Sequence, residues 1–296
     1  MTTLQDRPET LVEPEPELSP AVESSPLTYT ARALRSGGIS IVMLAALILG
    51  FVVYLVWISG IQHHRDQATM YAGLRDKLSQ GTAPVRPAAA GTPLAILEIP
   101  RLGMREVVVE GSTSTDLMHG PGHRRDTPLP GQPGVSVLYG RSLTYGGPFS
   151  RLHLLRQADV ISVTTGQGVA HYGVSEVNAK AINVPAGSPT LVLVSVDSRL
   201  APGREFLVTA TLISQVVPGN STLPVISRPE IGLSGEPSAL VPLMLWSQFL
   251  LIAAAFATWS YVRWSRWPTY IVTTPILLAG IWNVYENLAR LLPNTL

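Results

Sequence analysis

The chain contains no cysteine in 296 residues. Without cysteine it can form no disulfide framework, no thiolate nucleophile and no Cys-ligated metal site, on whichever side of a membrane it lies. Charge is also scarce: 14% of residues are charged and the formal net charge is +1. That leaves no basic patch, so no nucleic-acid partner is expected. What the chain has in excess is apolar sequence, concentrated near its two ends, which indicates a membrane protein with a soluble middle.

Residues 1–38 are Pro- and Glu-rich around Pro14, Glu15, Pro16 and Glu17 and lack an apolar period, so a disordered cytoplasmic tail is expected. Residues 39–59 carry no charge and have the length, about 20 residues, that a helix needs to cross hydrocarbon. The long preceding tail and the lack of a small-residue cleavage site argue against a signal peptide. Residues 60–80 space Ile61, Ala68, Tyr71, Leu74 and Leu78 as one helical face, predicting a membrane-proximal stalk helix. A Gly/Pro/Ala linker, 81–93, follows.

Residues 94–214 contain short β-branched runs separated by Gly- and Pro-containing turns: 107–109, 135–138, 160–164, 171–177, 190–196 and 206–212. Many short strands without a long amphipathic helix between them favour a closed all-β barrel, which removes exposed edges. A linker (215–239) leads to a second uncharged span (240–262), a turn (263–269) and a third apolar segment (270–292). Arg263, Trp264, Arg266 and Trp267 give the turn the composition of a cytoplasmic interface, and Arg32 and Arg35 agree. The expected arrangement is multi-pass, with the N-terminus cytoplasmic and the β-domain outside. Asn283, Glu286 and Asn287 in the third segment either lie in the headgroup region or hydrogen-bond to a membrane partner.

Several motifs occur in order: Ile99-Pro100-Arg101-Leu102-Gly103, Val109-Glu110-Gly111, Leu117-Met118-His119-Gly120-Pro121-Gly122-His123, Pro130-Gly131-Gln132-Pro133-Gly134, Val137-Leu138-Tyr139-Gly140 and Thr144-Tyr145-Gly146-Gly147-Pro148-Phe149. In this order and spacing the chain resembles the sortase family, in a class E-like form of actinobacterial type. The resemblance implies a β-barrel in the plasma membrane's outer space, and an activity that cuts L-P-x-T-G-like signals and passes the acyl group to an amine using a cysteine, a histidine and an arginine.

All three of those positions are altered. By the resemblance, Arg141 stands at the histidine, and a guanidinium stays protonated and cannot act as a general base. Val196 stands at the cysteine, ending Leu191-Val192-Leu193-Val194-Ser195-Val196, and an alkyl group cannot attack a carbonyl. Glu205 stands at the arginine, with Arg204 one residue earlier. Ser195 and Ser198 flank the altered site, but alternation puts Ser195 on the opposite face from Val196.

Thr144, Tyr145, Ser195, Asp197 and Arg204 are candidates to line a peptide groove, and Asn283, Glu286 and Asn287 to meet a membrane partner. His119, His123, His153 and His171 read as structural, and His63 and His64 lack the further ligands a metal needs. No cofactor or metal is expected. The expected function is a catalytically degenerate sortase-like protein that binds or scaffolds an extracytoplasmic peptide or surface protein. The alternatives are an acyl transferase using Ser195 or partner-supplied groups, and a structural subunit of a membrane complex.

Overall fold

The computed structural model describes residues 26–85, 88–181, 185, 187–196, 205–219, 223–226, 230, 235–263 and 266–293. The chain divides into two compact units, Met1–Ile48 and Leu49–Leu296. In the first, the described residues belong to α1 (Pro26–Val53). The expected tail is thus corrected from Pro26 onward, because an apolar helix extends N-terminally at one hydrogen bond per residue until a breaker stops it. Residues 1–25 lie outside the described residues.

α1 runs without a break through a π-helical turn, Tyr54–Ile58, into α2 (Ser59–Ser79). α2 is not a free stalk. Leu74 packs with Ala83, Ile96 and Val107, and Met70, Tyr71 and Leu78 flank them. The face turned to the barrel is therefore His63, Gln67, Met70, Leu74 and Leu78, while Ile61 and Ala68 of the expected face are exposed.

Eight strands follow: β1 (Pro93–Ile99), β2 (Met104–Glu110), β3 (Gly122–His123), β4 (Val135–Tyr139), β5 (Val160–Thr165), β6 (Gly168–Val177), β7 (Thr190–Val196) and β8 (Glu205–Leu212). They close into a barrel in the order β1-β2-β3-β4-β7-β8-β6-β5. β2–β3 and β4–β7 are parallel, and the other pairs are antiparallel. A short helix, α3 (Ser114–His119), joins β2 to β3 and starts with a capping box in which the Thr113 hydroxyl accepts from the Asp116 amide.

Every residue of β7 is buried, which accounts for its continuous apolar run. Leu191 and Leu193 enter the barrel core beside Leu97, Ile161, Val163, Tyr172 and Val208. Val192 and Val194 pack on the other face with Leu117, Tyr139 and Leu207.

Two helices close the chain, α4 (Leu240–Arg263) and α5 (Arg266–Leu291). Among the described residues, two helices are long and apolar enough to cross a membrane, Ser40–Ser79 and Pro237–Arg263, not the three expected. α5 has the length, at 26 residues, but Asn283, Glu286, Asn287 and Arg290 interrupt its apolar run, and polar groups at membrane depth are costly.

Candidate functional site

β4 ends at Tyr139, and the Gly140 amide still donates to the Val194 carbonyl at 3.0 Å, which brings position 141 beside the end of β7. Val196, the last residue of β7, pairs in register with Glu205 at the start of β8. The fold thus gathers Arg141, Val196 and Glu205 at one end of the barrel. They present a buried cation, an alkyl group and a carboxylate.

Arg141 is 1% exposed. Its guanidinium donates to the Thr144 hydroxyl (3.0 Å), the Ser114 hydroxyl (2.9 Å) and the Ser114 carbonyl (3.1 Å), so it ties the loop after β4 to α3. It also lies over the Tyr145 ring, 5.0 Å from the centroid. Among the described residues no carboxylate pairs with it, and Nε has no partner. Burial pulls its pKa down to about 10, against the electrostatic pull of the Tyr145 and Tyr54 hydroxyl groups. The group stays charged at neutral pH.

The loop that carries Thr144 and Tyr145 is covered from above. Tyr145 has a left-handed φ of 50°, and its amide donates to the Ser59 hydroxyl at 3.0 Å. Its own hydroxyl lies 3.3 Å from the Tyr54 hydroxyl. Met118 and Ala289 complete this cluster, flanked by Phe51, Leu55 and Tyr285. Burial raises the Tyr145 pKa, opposed by the Tyr54 hydrogen bond and the Arg141 charge. Thr144 and Tyr145 are 2% and 0% exposed, so the expectation that they line a peptide groove is corrected: the first helix and α5 occupy the space in front of them.

Three further α2 residues, Gln67, His63 and Asp66, hold the helix down. The Gln67 amide donates to the Val107 and His119 carbonyls and accepts from the Val107 amide, taking the place of a neighbouring strand along β2. His63, buried, lies 3.1 Å from the Glu106 carboxylate through Nε2. His119 meets Asp66 at 2.8 Å. His123 is enclosed between Glu110 and the Pro128 carbonyl. These three histidines hold the fold together.

What remains open is a cavity of about 240 Å³ lined by Ser142, Phe149, Ser150, His153, Ser195, Val196 and Phe206. Ser195 and Val196 both line it despite strand alternation, because the cavity wraps the end of β7. The Ser195 hydroxyl donates to the Gly140 carbonyl at 3.1 Å, which directs its proton away from any base. Sequence reasoning missed Ser142, Phe149, Ser150, His153 and Phe206. Phe149 alone carried a signal, through its motif; the rest converge from separate turns and strands. Asp197, Ser198 and Arg204 lie outside the described residues.

Of the three α5 residues expected to meet a partner, Asn283 and Asn287 are turned to their own helix. The Asn283 amide donates to the Ala279 carbonyl and the Asn287 amide to the Asn283 carbonyl. Asn287 is buried, and its Oδ1 has no partner among the described residues.

Residues 97–211 match the family model of the sortase domain. Similar solved structures include a Clostridium perfringens sortase D5 transpeptidase, with 22% identity, 51% of this chain and 99% of that chain covered, and a TM-score of 0.45. Streptomyces avermitilis sortase E shows 28% identity over 43% of this chain and 91% of that chain, with a TM-score of 0.38. Sortase A from Corynebacterium diphtheriae shows 18% identity over 50% of this chain and 84% of that chain, with a TM-score of 0.40. A comparison with curated proteins gives no match. The matched residues run from β1 to β8, so the closed barrel is the part of this chain that is similar to the sortase domain.

Proposed function

We propose that this chain is a membrane-anchored, class E-like sortase-domain protein that binds a peptide or surface protein outside the cell and performs no acyl transfer. The observation that carries the reading is Arg141, which by the resemblance stands at the histidine position and is held in place by Ser114, Thr144 and Tyr145. Val196 at the nucleophile position supports it, since no side chain there can form an acyl-enzyme. The cavity beside Val196 remains large enough to take a small side chain of an extended segment. The two apolar helices anchor the domain, with Arg263 and Arg266 on the cytoplasmic side.

A serine-dependent acyl transferase is the second reading, favoured by the shared cavity of Ser142, Ser150, Ser195 and His153. The test uses the full chain in detergent with sorting-signal peptides of the L-P-x-T-G kind and an amine acceptor, followed by mass spectrometry. Binding without cleaved product is expected. Turnover that disappears in Ser195→Ala would overturn the binding reading in favour of the second one.

A further inference from the structure

The cavity at the altered site does not end at His153. The same side chain borders a second, more open cavity of about 590 Å³, lined by Arg101, His153, Leu154, Leu155 and Arg156. The two meet at His153 and differ in chemistry. The first offers hydroxyls and the apolar walls of Phe149, Val196 and Phe206. The second has two guanidinium groups and a ring nitrogen.

The cations there are unequally neutralised. Arg101 donates to the Leu154 carbonyl at 3.2 Å and pairs with Asp159 at 3.1 Å. The Asp159 carboxylate also accepts from the Arg156 amide at 2.7 Å, so it is held at the backbone. The Arg156 side chain is exposed and has no ion pair among the described residues. A guanidinium with free donors beside an apolar, hydroxyl-lined cavity suits a carboxylate, which it binds through two parallel hydrogen bonds.

We propose that the joined cavities bind a peptide segment whose small or apolar residue fills the Val196 cavity while a neighbouring acidic side chain is held by Arg156, with His153 between them. This rests on the peptide-binding reading and names its ligand class. A peptide fits better than a phosphate polymer because only a peptide gives the Phe149, Val196 and Phe206 walls something apolar to bury.

The test is fluorescence anisotropy on the full chain in detergent. Its probes are labelled octapeptides of alanine and leucine carrying one glutamate at each position in turn, each matched to its glutamine counterpart. The best glutamate peptide is expected to bind about tenfold tighter than its glutamine match, a difference lost in Arg156→Gln and kept in the exposed control Arg151→Gln. Equal affinity of the matched pair, with binding blocked by Ser150→Trp, overturns the acidic-ligand inference and leaves peptide binding standing. No peptide binding at all overturns both. Displacement of every peptide by low polyphosphate, with polyphosphate itself binding through Arg156, overturns the peptide as occupant.

Discussion

The Arg141 guanidinium sits 5.0 Å from the centre of the Tyr145 ring, and the Tyr145 hydroxyl in turn lies 3.3 Å from that of Tyr54 on the first helix. Arg141 is thereby made part of the joint between barrel and helix. A base placed at position 141 is therefore not expected to reach a substrate. The double variant Arg141→His with Val196→Cys is expected to give no thiol-dependent acyl transfer in the full chain, because position 141 is 1% exposed. Mass-spectrometric detection of an acyl-cysteine adduct would show that substrate reaches it.

The same contact separates charge from volume. Arg141→Met keeps the bulk and removes a buried cation that lacks a carboxylate, so its stability should stay within about 1 kcal/mol of the parent. Arg141→Ala leaves a cavity and should cost about 2–5 kcal/mol. Thermal midpoints in detergent compare the two. Equal losses would mean that the hydrogen bonds to Ser114 and Thr144, rather than packing, carry the contribution.

Gln67 and Gly120 form a second joint. A Cβ at Gly120 would stand 2.6 Å from the Val107 carbonyl, which Gln67 caps. Gln67→Ala strips partners from both backbone groups of Val107 and should cost about 1–3 kcal/mol. Gly120→Ala is expected to cost more, since the backbone on the far side cannot retreat. Hydrogen exchange at the Val107 amide should rise in both variants and serves as the local readout.

Glu236 links the base of α4 to α3 by accepting from the Thr115 hydroxyl at 2.6 Å and the Ser238 hydroxyl at 2.7 Å. Burial alone would raise its pKa, but these hydrogen bonds and the Arg290 charge bring it below the ordinary 4.5. A depressed carboxylate contributes stability that is present above about pH 4.5 and lost as pH falls through its lower folded value. Asp116 has the opposite sign: burial raises its pKa above 3.8, so its contribution is present at low pH and lost as pH rises through the folded value. Glu236→Gln should flatten the acid limb of a stability–pH profile, and Asp116→Asn the limb above it. An unchanged acid limb in Glu236→Gln would remove Glu236 as its source.

Removing residues 240–296 takes away Ala289 and Tyr285 and so uncovers Tyr54 and Tyr145 on one side. The truncated chain is expected to keep its barrel but to cleave faster around Tyr54 in limited proteolysis. Unchanged cleavage would mean that α5 adds no protection there.

The barrel was legible because alternating β-branched runs such as 160–165 bury one face, a local property that survives in any context. The identities of Arg141, Val196 and Glu205 were legible too, since residue type alone decides whether a side chain can attack or accept a proton. β3 was not visible, because two residues, Gly122 and His123, carry no period and are strands only through Val109 and Tyr139. Nor could sequence tell that Thr144 and Tyr145 are covered, or that His153 borders the cavity, because those facts depend on which distant helix packs against which loop. From sequence alone came the eight-stranded barrel's character as all-β and the apolar helices at either end of it. Only the tertiary structure decided that Arg141 is buried in the joint between barrel and helix, because that burial comes from contacts over 80 residues apart, such as that between Ser59 and Tyr145.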